Sequence, residues 1–351
     1  MADLFGAFIK ASKLVRKRRP LSAALALQKA LSPAPAKRSR AKTASPSKAA
    51  SASGRKGTAR KNLPRPAPGT FLSDEYRCRH GTIEYRLYTP RGSDRRRLPL
   101  VVMLHGCSQT ATDFAAGTEM NRLADELGVL VLYPQQSPKA NLGRCWNWHD
   151  PVNQERGKGE PAIIAGLTRH AIALGRANAS RVYIAGISAG GAAAAIIGAA
   201  YPDLYVAVGV HSGVARGNVR SLSGAIAAMR GRNGSGPTGK LPRQLPTIVF
   251  HGDNDRVVHP SNAGGFLTNL ERSTAGPLIS RAHAGVSPGG RHYSRRIHRS
   301  HAGEILLEDW TIHGGGHSWS GGSAAGSHTD PAGPSASREM LRFFLSRRRF
   351  L

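Results

Sequence analysis

The sequence is short of cysteine, aromatic residues and acidic residues, and these shortages exclude several classes of protein. Three cysteines in 351 residues allow at most one disulfide and offer no C-x-x-C pair for zinc, redox or haem chemistry. No run of about 18 uninterrupted apolar residues occurs, which excludes a transmembrane helix. Aromatic residues make up only 6% of the chain, but the hydrophobic share of 40% is enough for one sizeable core.

The shortage of acids is concentrated at one end of the chain. Residues 1–70 contain 17 Lys and Arg and a single acid, Asp3, in a composition rich in Ala, Ser and Pro. Such a segment buries too little apolar surface to offset its ordering entropy, so we expect a disordered basic tail before a folded domain at residues 71–351. A short basic amphipathic helix lying on a surface is the alternative for the start of this tail. A cleavable signal is a further alternative, because Arg16–Arg19 precede the apolar stretch Leu21–Leu27 and small residues follow at 34–36. Gln28 and Lys29 interrupt the apolar core, however, so no clear signal peptide is recognised.

After residue 70, short apolar runs alternate with stretches of helical length. Two segments in which apolar and polar residues alternate, one on each side of Gly81, predict an antiparallel pair of strands. The next runs are nearly continuous, as in strands that are buried on both faces of a sheet; they are Leu98–Leu104, Val129–Tyr133, Val182–Ala185, Val206–Val210 and Thr247–Phe250. A late strand is predicted at Glu304–Ile312, and helices at Phe114–Leu127, Pro161–Asn178, Gly190–Ala200 and Ser335–Leu345. This order predicts an α/β fold with a mostly parallel central sheet and helices on both faces.

The most specific motif is G-x-S-x-G at residues 186–190, which lies between a predicted strand and a predicted helix. This context is typical of a nucleophilic serine at a strained strand-to-helix turn. Gly186 and Gly190 leave the room that such a turn needs, and the hydroxyl of Ser188 would then stand clear of the sheet. The alternative is an ordinary glycine-rich turn in which the serine caps the following helix.

A serine nucleophile needs a histidine base that a carboxylate orients. The strand Thr247–Phe250 continues into the sequence H-G-D-N-D, so Asp253 and Asp255 follow its carboxyl end, where ligand sites of open α/β sheets lie. We expect Asp255 to orient the base. Asp253 is the competitor, and it would otherwise stabilise the turn.

The base is expected after the last strand, where the sequence H-G-G-G-H occupies residues 313–317. We favour His317, because the three glycines before it allow a sharp turn toward Ser188. His313 still belongs to the strand and is the alternative. The resulting chain order of serine, acid and histidine is that of α/β-hydrolases.

The oxyanion of an acyl-transfer reaction also needs hydrogen-bond donors. In α/β-hydrolases these are the backbone N–H of the residue after the nucleophile and an N–H from the loop after an early strand. Here the first donor would be Ala189. The second would lie in the loop H-G-C-S-Q at residues 105–109, and Cys107 is the favoured residue. A catalytic thiol at Cys107 has no motif to support it.

Over residues 75–347 the chain resembles the poly(3-hydroxybutyrate) depolymerase type of esterase, which has feruloyl and acetylxylan esterase relatives. The motifs that carry this resemblance are L-H-G-C at 104–107, C-W-N-W at 145–148, A-G-I-S-A-G-G at 185–191, Y-P-D at 201–203, H-G-D-N-D at 251–255 and G-H-S-W-S-G at 316–321. The resemblance implies an α/β-hydrolase fold with Ser188, Asp255 and His317 as triad and with Cys107 and Ala189 as oxyanion donors. It also implies a Cys107–Cys145 disulfide and an ester cleft lined by three tryptophans, Trp146, Trp148 and Trp319. Packing of these tryptophans in the core is the alternative.

The resemblance implies a serine esterase that needs neither cofactor nor metal. Its substrate would be a short hydroxyalkanoate oligomer or a plant-wall ester, with a feruloyl or acetylxylan ester as the alternative to hydroxybutyrate. It further implies an extracellular location, although the lack of a clear signal keeps an intracellular one open. The basic tail at residues 1–70 would suit an anionic surface or a granule. A protein of another class, which binds polyanions on a hydrolase scaffold, is the rival hypothesis.

Three further patterns carry no functional prediction. The glycine-rich segment 234–240 resembles a phosphate loop but continues into Leu241 and Pro242 instead of Ser or Thr and a helix. Arginines interrupt the histidine cluster at residues 283–301, and they repel a cation, so we expect no metal there. No G-x-G-x-x-G follows a predicted strand, which leaves a dinucleotide cofactor without support.

Overall fold

The central feature of the structure, a computed structural model, is one large twisted sheet. The structure describes residues 69–92, 97–217, 219–232 and 244–349. Within these residues ten strands pair in the order β1-β2-β4-β3-β5-β6-β7-β10-β9-β8. The strands are Phe71–Cys78, Gly81–Tyr88, Leu100–Leu104, Leu130–Gln135, Val182–Ile187, Ala207–His211, Thr247–Gly252, Ile279–Val286, His292–Arg299 and Ile305–Ile312, numbered β1 to β10 in chain order. Two short strands, β11 (Trp319–Ser320) and β12 (Thr329–Asp330), pair separately.

The six strands in the middle of the sheet, from β4 to β10 in the pairing order, run parallel. Antiparallel pairs extend the sheet at both ends. Helices follow the strands in the α/β manner; they are α1 (Ala111–Thr118), α2 (Met120–Leu127), α3 (Gly159–Gly175), α4 (Ala189–Ala200), α5 (Leu222–Met229), α6 (Ser261–Ser273) and α7 (Ala336–Leu345). The predicted α/β class is confirmed.

The middle strands are buried on both faces because successive side chains of a strand point to opposite sides. In β5, Val182 and Ile184 join a core that includes residues of α3 and α4. Tyr183 and Ala185, between them, join a second core with residues of α1, α2 and α7. This arrangement explains why the strands read as continuous apolar runs in the sequence.

One predicted helix is divided in two. The stretch Phe114–Leu127 forms α1 and α2 with a break at Glu119, whose φ of 51° lies in the left-handed region. The turn of helix before the break lies close to a distant segment of the chain. The backbone carbonyl of Gly117 accepts the N–H of Ser323 at 2.8 Å. A Cβ on Gly117 would lie 3.0 Å from Thr329 Cγ2. Contacts with the distant segment 323–329 thus accompany a break that no local pattern predicts.

The hairpin of β8 and β9 and the helices α5 and α6 were not predicted from the sequence. In β8 and β9 Arg and His residues occupy positions where an apolar alternation would mark a strand, and β8 is largely exposed. The predicted tail, except for Gly69 and Thr70, lies outside the described residues, as does the glycine-rich segment 234–240. No helix in the described part of the chain is long and apolar enough to cross a membrane.

Candidate active site

Ser188 lies at the sharp turn between β5 and α4. Its φ of 57° and ψ of −123° place a residue with a side chain in a backbone region that is costly and typical of functional sites. The Ser188 side chain makes no capping hydrogen bond to α4, although the residue occupies the N-cap position. This geometry disfavours the alternative of a capping serine and leaves the hydroxyl available for chemistry.

The two glycines of the motif are required by close contacts. A Cβ on Gly186 would lie 2.4 Å from the carbonyl oxygen of Gly190, and a Cβ on Gly190 would lie 2.2 Å from the carbonyl oxygen of Leu104. Real Cβ atoms do not approach backbone so closely, so neither position accepts alanine without a backbone shift. The contact with Leu104 also presses the turn against the start of the predicted oxyanion loop.

Asp255 and His317 form a hydrogen-bonded pair at the carboxyl ends of β7 and β10. The Nδ1 of His317 lies 2.7 Å from Oδ2 of Asp255, whose side chain is fully buried. The other carboxylate oxygen accepts the backbone N–H groups of Val257 and Val258 at 2.8 and 2.9 Å. Burial opposes the charge on Asp255, but His317 and His251 outweigh it and hold the pKa of this carboxyl well below its usual value. The pair therefore suits a carboxylate that fixes one tautomer of an imidazole.

The order of the strands brings these loops together. β5, β6, β7 and β10 are neighbours and run parallel, so the turn of Ser188 and the loops of Asp255 and His317 leave the same edge of the sheet. Close glycine contacts hold the last two loops together. A Cβ on Gly252 would lie 2.2 Å from the carbonyl oxygen of Gly315, and the N–H of Asn254 donates to that same oxygen at 3.0 Å.

His211, at the end of β6, connects the serine turn to the histidine loop. Its backbone carbonyl accepts the N–H of Ser188 at 2.9 Å, and its Nε2 accepts the N–H of Ser320 at 3.0 Å. Ser320 follows His317 by three residues. Nothing in the sequence marked His211, since a histidine at the end of a buried strand is unremarkable until the neighbours of that strand are known.

The acceptor role of His211 requires a neutral imidazole. Burial, reinforced by His251 and His317, lowers the pKa of His211 to about 3. In the unfolded chain a histidine has a pKa of about 6.5. Below that pH the unfolded state therefore binds a proton at this histidine that the folded state does not bind. His211 therefore stabilises the fold fully above pH 6.5 and progressively less as the pH falls.

We predict the consequence for the variant His211→Phe, which keeps a ring against Phe250 and Trp319 but cannot titrate. The difference in free energy of unfolding between wild type and variant should fall by up to about 1.4 kcal/mol per pH unit below pH 6.5. Urea denaturation between pH 4 and pH 8 measures it. The control His283→Phe, at an exposed position, should give a flat difference; a flat difference for His211→Phe as well would refute the neutral buried imidazole.

The two expected oxyanion donors are unoccupied within the described part of the chain. Neither the N–H of Ala189, the first residue of α4, nor that of Cys107 donates to a described protein group. The loop after β3 is held in place by its neighbours, since Gly106 donates to Oε1 of Gln109 at 2.9 Å and Ser108 donates to the carbonyl of Gly143 at 2.6 Å. A rigid loop with free donors is what stabilisation of an oxyanion requires.

A disulfide joins this loop to the segment 145–148. Cys107 and Cys145 are bonded at an S–S distance of 2.07 Å, across a sequence separation of 38 residues, in the pairing that the resemblance implies. Cys78 is a free thiol. The disulfide connects the residue of the second expected oxyanion donor to a loop that is itself anchored to α3.

The anchor is Glu160, near the start of α3, which sequence reasoning did not identify. Its carboxylate accepts the side-chain amide of Gln136 at 2.6 Å and both the backbone and the side-chain N–H of Asn147 at 3.0 Å. Burial raises the pKa of Glu160 to about 7 despite these donors. The backbone N–H of Gln136 in turn donates to Nε2 of His105 at 3.0 Å, so Glu160 connects both sides of the oxyanion loop.

Removal of the disulfide by Cys107→Ser with Cys145→Ser is predicted to cost about 2–4 kcal/mol of stability, because the unfolded chain loses a covalent constraint. Loosening of the Cys107 N–H should also lower kcat by up to about 10²-fold. Denaturation curves and ester hydrolysis measure the two effects. Cys78→Ser is the matched control and should change neither; equal stability of the wild type and the double variant would contradict the prediction.

The structure places Trp146 and Trp319, which the resemblance assigns to the lining of the ester cleft, inside the domain. Both indoles are buried, at 1% exposure. The Trp146 N–H donates to the carbonyl of His105 at 2.9 Å, and the Trp319 N–H donates to the hydroxyl of Ser337 at 3.0 Å. These indoles pack inside the domain and support the loops, as the alternative interpretation held. Trp148 is also buried, at 7% exposure.

Asp253 and His313, the alternatives to Asp255 and His317, form a separate hydrogen-bonded pair with each other. His313 Nδ1 lies 2.9 Å from Asp253 Oδ2, and His313 Nε2 lies 2.8 Å from the hydroxyl of Ser294 on β9. This is a second chain of serine, histidine and acid. Its histidine and acid side chains are 44% and 42% exposed, and Ser294 belongs to a paired strand, not to a strand-to-helix turn. It lacks the buried acid and the oxyanion donors of the first set.

The comparisons with known proteins come from sequence and from structure. A family model described as Esterase PHB depolymerase matches residues 83–276, more than half of the chain. The chain is 29% identical over 254 residues to a poly(3-hydroxyalkanoate) depolymerase C of Paucimonas lemoignei, covering 68% of this chain and 58% of that protein. It is 32% identical over 181 residues to a feruloyl esterase B of Neurospora crassa, covering 46% and 60% of the two chains. The chain thus spans about three fifths of the length of these relatives.

Among solved structures, the acetyl xylan esterase from Aspergillus awamori is similar in fold, with a TM-score of 0.58 at 19% identity; the match covers 75% of this chain and 93% of that one. An S-formylglutathione hydrolase from Agrobacterium tumefaciens gives a TM-score of 0.51 at 15% identity, over 78% and 94% of the two chains. At these identities the likeness concerns the fold alone.

Proposed function

The chain belongs to the Esterase PHB depolymerase family, and from that premise we propose that it is a serine hydrolase of carboxylic esters that works through an acyl-enzyme. In the proposed mechanism the hydroxyl of Ser188 attacks the ester carbonyl. Nε2 of His317 takes the hydroxyl proton and then gives it to the leaving alcohol. Water then attacks the acyl carbonyl while the same nitrogen takes one of its protons. The bond between the acyl carbon and Oγ of Ser188 breaks, Nε2 returns the proton to Oγ, and the carboxylic acid leaves.

The observation that carries the proposal is the buried contact between His317 and Asp255. Because Nδ1 of His317 lies 2.7 Å from a fully buried carboxylate, the ring proton is held on that nitrogen and Nε2 remains a base. When His317 becomes an imidazolium, the same carboxylate stabilises its charge. Nε2 of a second histidine, His251, also lies 3.4 Å from Asp255, but that nitrogen is 2.9 Å from the carbonyl oxygen of Val258 and its side chain is buried, whereas the His317 side chain is 14% exposed.

The negative charge that develops on the carbonyl oxygen would be bound by the N–H groups of Ala189 and Cys107. Loss of one such donor costs about 2.7–4 kcal/mol of transition-state stabilisation in serine hydrolases. Ala189 is fixed by the start of α4. Cys107 is fixed by the disulfide to Cys145 and by the hydrogen bonds that Glu160 accepts.

For the substrate we propose a short hydroxyalkanoate oligomer, with a feruloyl or acetylxylan ester as the second candidate. The relatives with these names motivate both candidates. The test is a panel of 3-hydroxybutyrate oligomers, a methyl ferulate ester and acetylated xylan, each assayed for acid release by the full chain. We expect kcat/KM to be highest for the oligomers. A higher value for either plant-wall ester would replace the substrate class, and no turnover of any ester would refute the function.

We also propose that the protein works outside the cytoplasm, in an oxidising compartment where the Cys107–Cys145 disulfide is stable. The basic segment 1–70 would then hold the enzyme near an anionic surface or a granule by charge alone, which makes the attachment sensitive to salt.

A further inference from the structure

A large cavity lies at the amino-terminal ends of the parallel strands, whereas Ser188 lies at their carboxyl ends. Its volume is about 1410 Å³. It is lined by residues that directly precede or begin the parallel strands, among them Arg181 before β5, Val206 before β6 and Pro246 before β7. A strand of six residues separates this edge from the catalytic edge by about 15–20 Å. The cavity is therefore distinct from the candidate active site.

The cavity is strongly basic. Five arginines and a single acid, Glu304, are among the residues that line it; the arginines are Arg181, Arg299, Arg347, Arg348 and Arg349. Four of the guanidinium groups donate to backbone carbonyls: Arg181 to Leu345, Arg299 to Gly303, Arg347 to Ile305 and Arg349 to Ala179, at 2.9–3.1 Å.

These contacts fix the four guanidinium groups without neutralising them. Within the described residues no carboxylate lies within ion-pair distance of Arg181, Arg299, Arg347 or Arg349. Elsewhere on the surface arginines do pair with acids, as Arg156 does with Asp203. Among the described residues that line the cavity, the arginines therefore outnumber the acids by five to one.

Arg347 is the most constrained of the four. Burial, only partly offset by Glu308, lowers the pKa of Arg347 to about 10, and its guanidinium packs over the ring of Phe343. A charge that is costly to bury is stabilised by an anion placed beside it. The same cavity is lined by Gln244, whose side-chain amide oxygen is buried without a hydrogen-bond partner among the described groups and could accept a ligand hydroxyl.

We propose that this cavity is a binding site for a compact oxyanion that carries several phosphoryl groups. Guanidinium groups bind phosphate oxygens in pairs with well-defined geometry. The volume exceeds that of a single phosphate, and four fixed guanidinium groups without an ion pair in the described residues match a ligand of several negative charges. This site is independent of the ester chemistry, because the two sites lie at opposite edges of the sheet.

The test uses inorganic tripolyphosphate and the full chain at about 150 mM salt, where weak surface contacts are screened. We expect saturable binding by calorimetry that weakens at least about tenfold in the variant Arg299→Gln with Arg349→Gln. The matched control is Arg77→Gln with Arg122→Gln, which removes the same charge from two exposed positions outside the cavity and should bind as wild type does. An equal loss in both double variants, or no saturable binding, would overturn the proposal.

A residue-resolved measurement separates the cavity from the basic segment 1–70. Tripolyphosphate should protect Arg299 and Arg349 from modification by phenylglyoxal at least about fivefold, as quantified by peptide mass spectrometry, and should leave Arg77 unprotected. Protection confined to arginines of residues 1–70 would overturn the proposal. Tighter binding of citrate than of tripolyphosphate would overturn the assignment to phosphoryl groups. Hydrolysis of a short ester should be unchanged at saturating tripolyphosphate, and competitive inhibition would contradict two separate sites.

Discussion

Replacement of Ser188 by alanine is expected to lower kcat/KM for a short aryl ester by about 10⁴–10⁶-fold, because the variant has no nucleophile to form the acyl-enzyme. The expected loss is large because the serine, the histidine and the acid act as one unit in this chemistry. Initial rates with p-nitrophenyl acetate measure it. The folded state should be unaffected, since the Ser188 side chain makes no capping bond to α4, and near-ultraviolet circular dichroism checks this.

Ser294→Ala is the matched control for that experiment. Ser294 also contacts a histidine that contacts an aspartate, so a mechanism that needed only this hydrogen-bonded chain would use it equally well. We expect Ser294→Ala to retain activity within about twofold of wild type. Loss of activity in Ser294→Ala, with retention in Ser188→Ala, would reverse the assignment of the nucleophile.

Replacement of Asp255 by asparagine is expected to lower kcat by about 10⁴-fold. The amide keeps the shape of the side chain but favours the wrong tautomer of His317 and cannot stabilise its positive charge. KM should change little, because Asp255 lies behind the imidazole, fully buried. Steady-state kinetics separate kcat from KM.

Asp253→Asn provides the comparison, two residues away in the same loop. Asp253 accepts hydrogen bonds from His313 and from the N–H of Gly314 at 2.9 and 2.7 Å, so it joins the two loops from the outside. We expect a loss of no more than about tenfold, through looser positioning of His317. Equal losses in the two variants would show that the acid acts through the loops and not through the imidazole.

The sequence carries enough information for the order of the elements and for the serine turn. Buried parallel strands read as continuous apolar runs, and Gly186 and Gly190 are needed where a Cβ would strike backbone. The choice of Asp255 over Asp253 and of His317 over His313 follows from the glycines and the resemblance. The structure separates the two sets by burial, although the assignment of the triad remains a prediction until it is tested chemically.

The parts of the site that the sequence did not reveal depend on the order of strands across the sheet. His211 connects the two loops only because β6 lies between β5 and β7. Glu160 acts on the oxyanion loop through Asn147 and Gln136, and Gln136 in turn contacts His105, 31 residues earlier in the chain. The hairpin of β8 and β9 was missed because its Arg and His residues conceal the alternation that marks a strand. Each case depends on contacts over long range, which local pattern does not encode.

In the mechanism that we propose, Ser188 is the nucleophile that His317 and Asp255 activate. The most direct test of this mechanism is covalent labelling with a fluorophosphonate, followed by mass spectrometry of the modified peptide. We expect one label per chain, on Ser188, formed rapidly by wild type and at least about 10³-fold more slowly by Asp255→Asn. A label on Ser294 or another serine, or labelling of Ser188 at the same rate in both proteins, would contradict the mechanism.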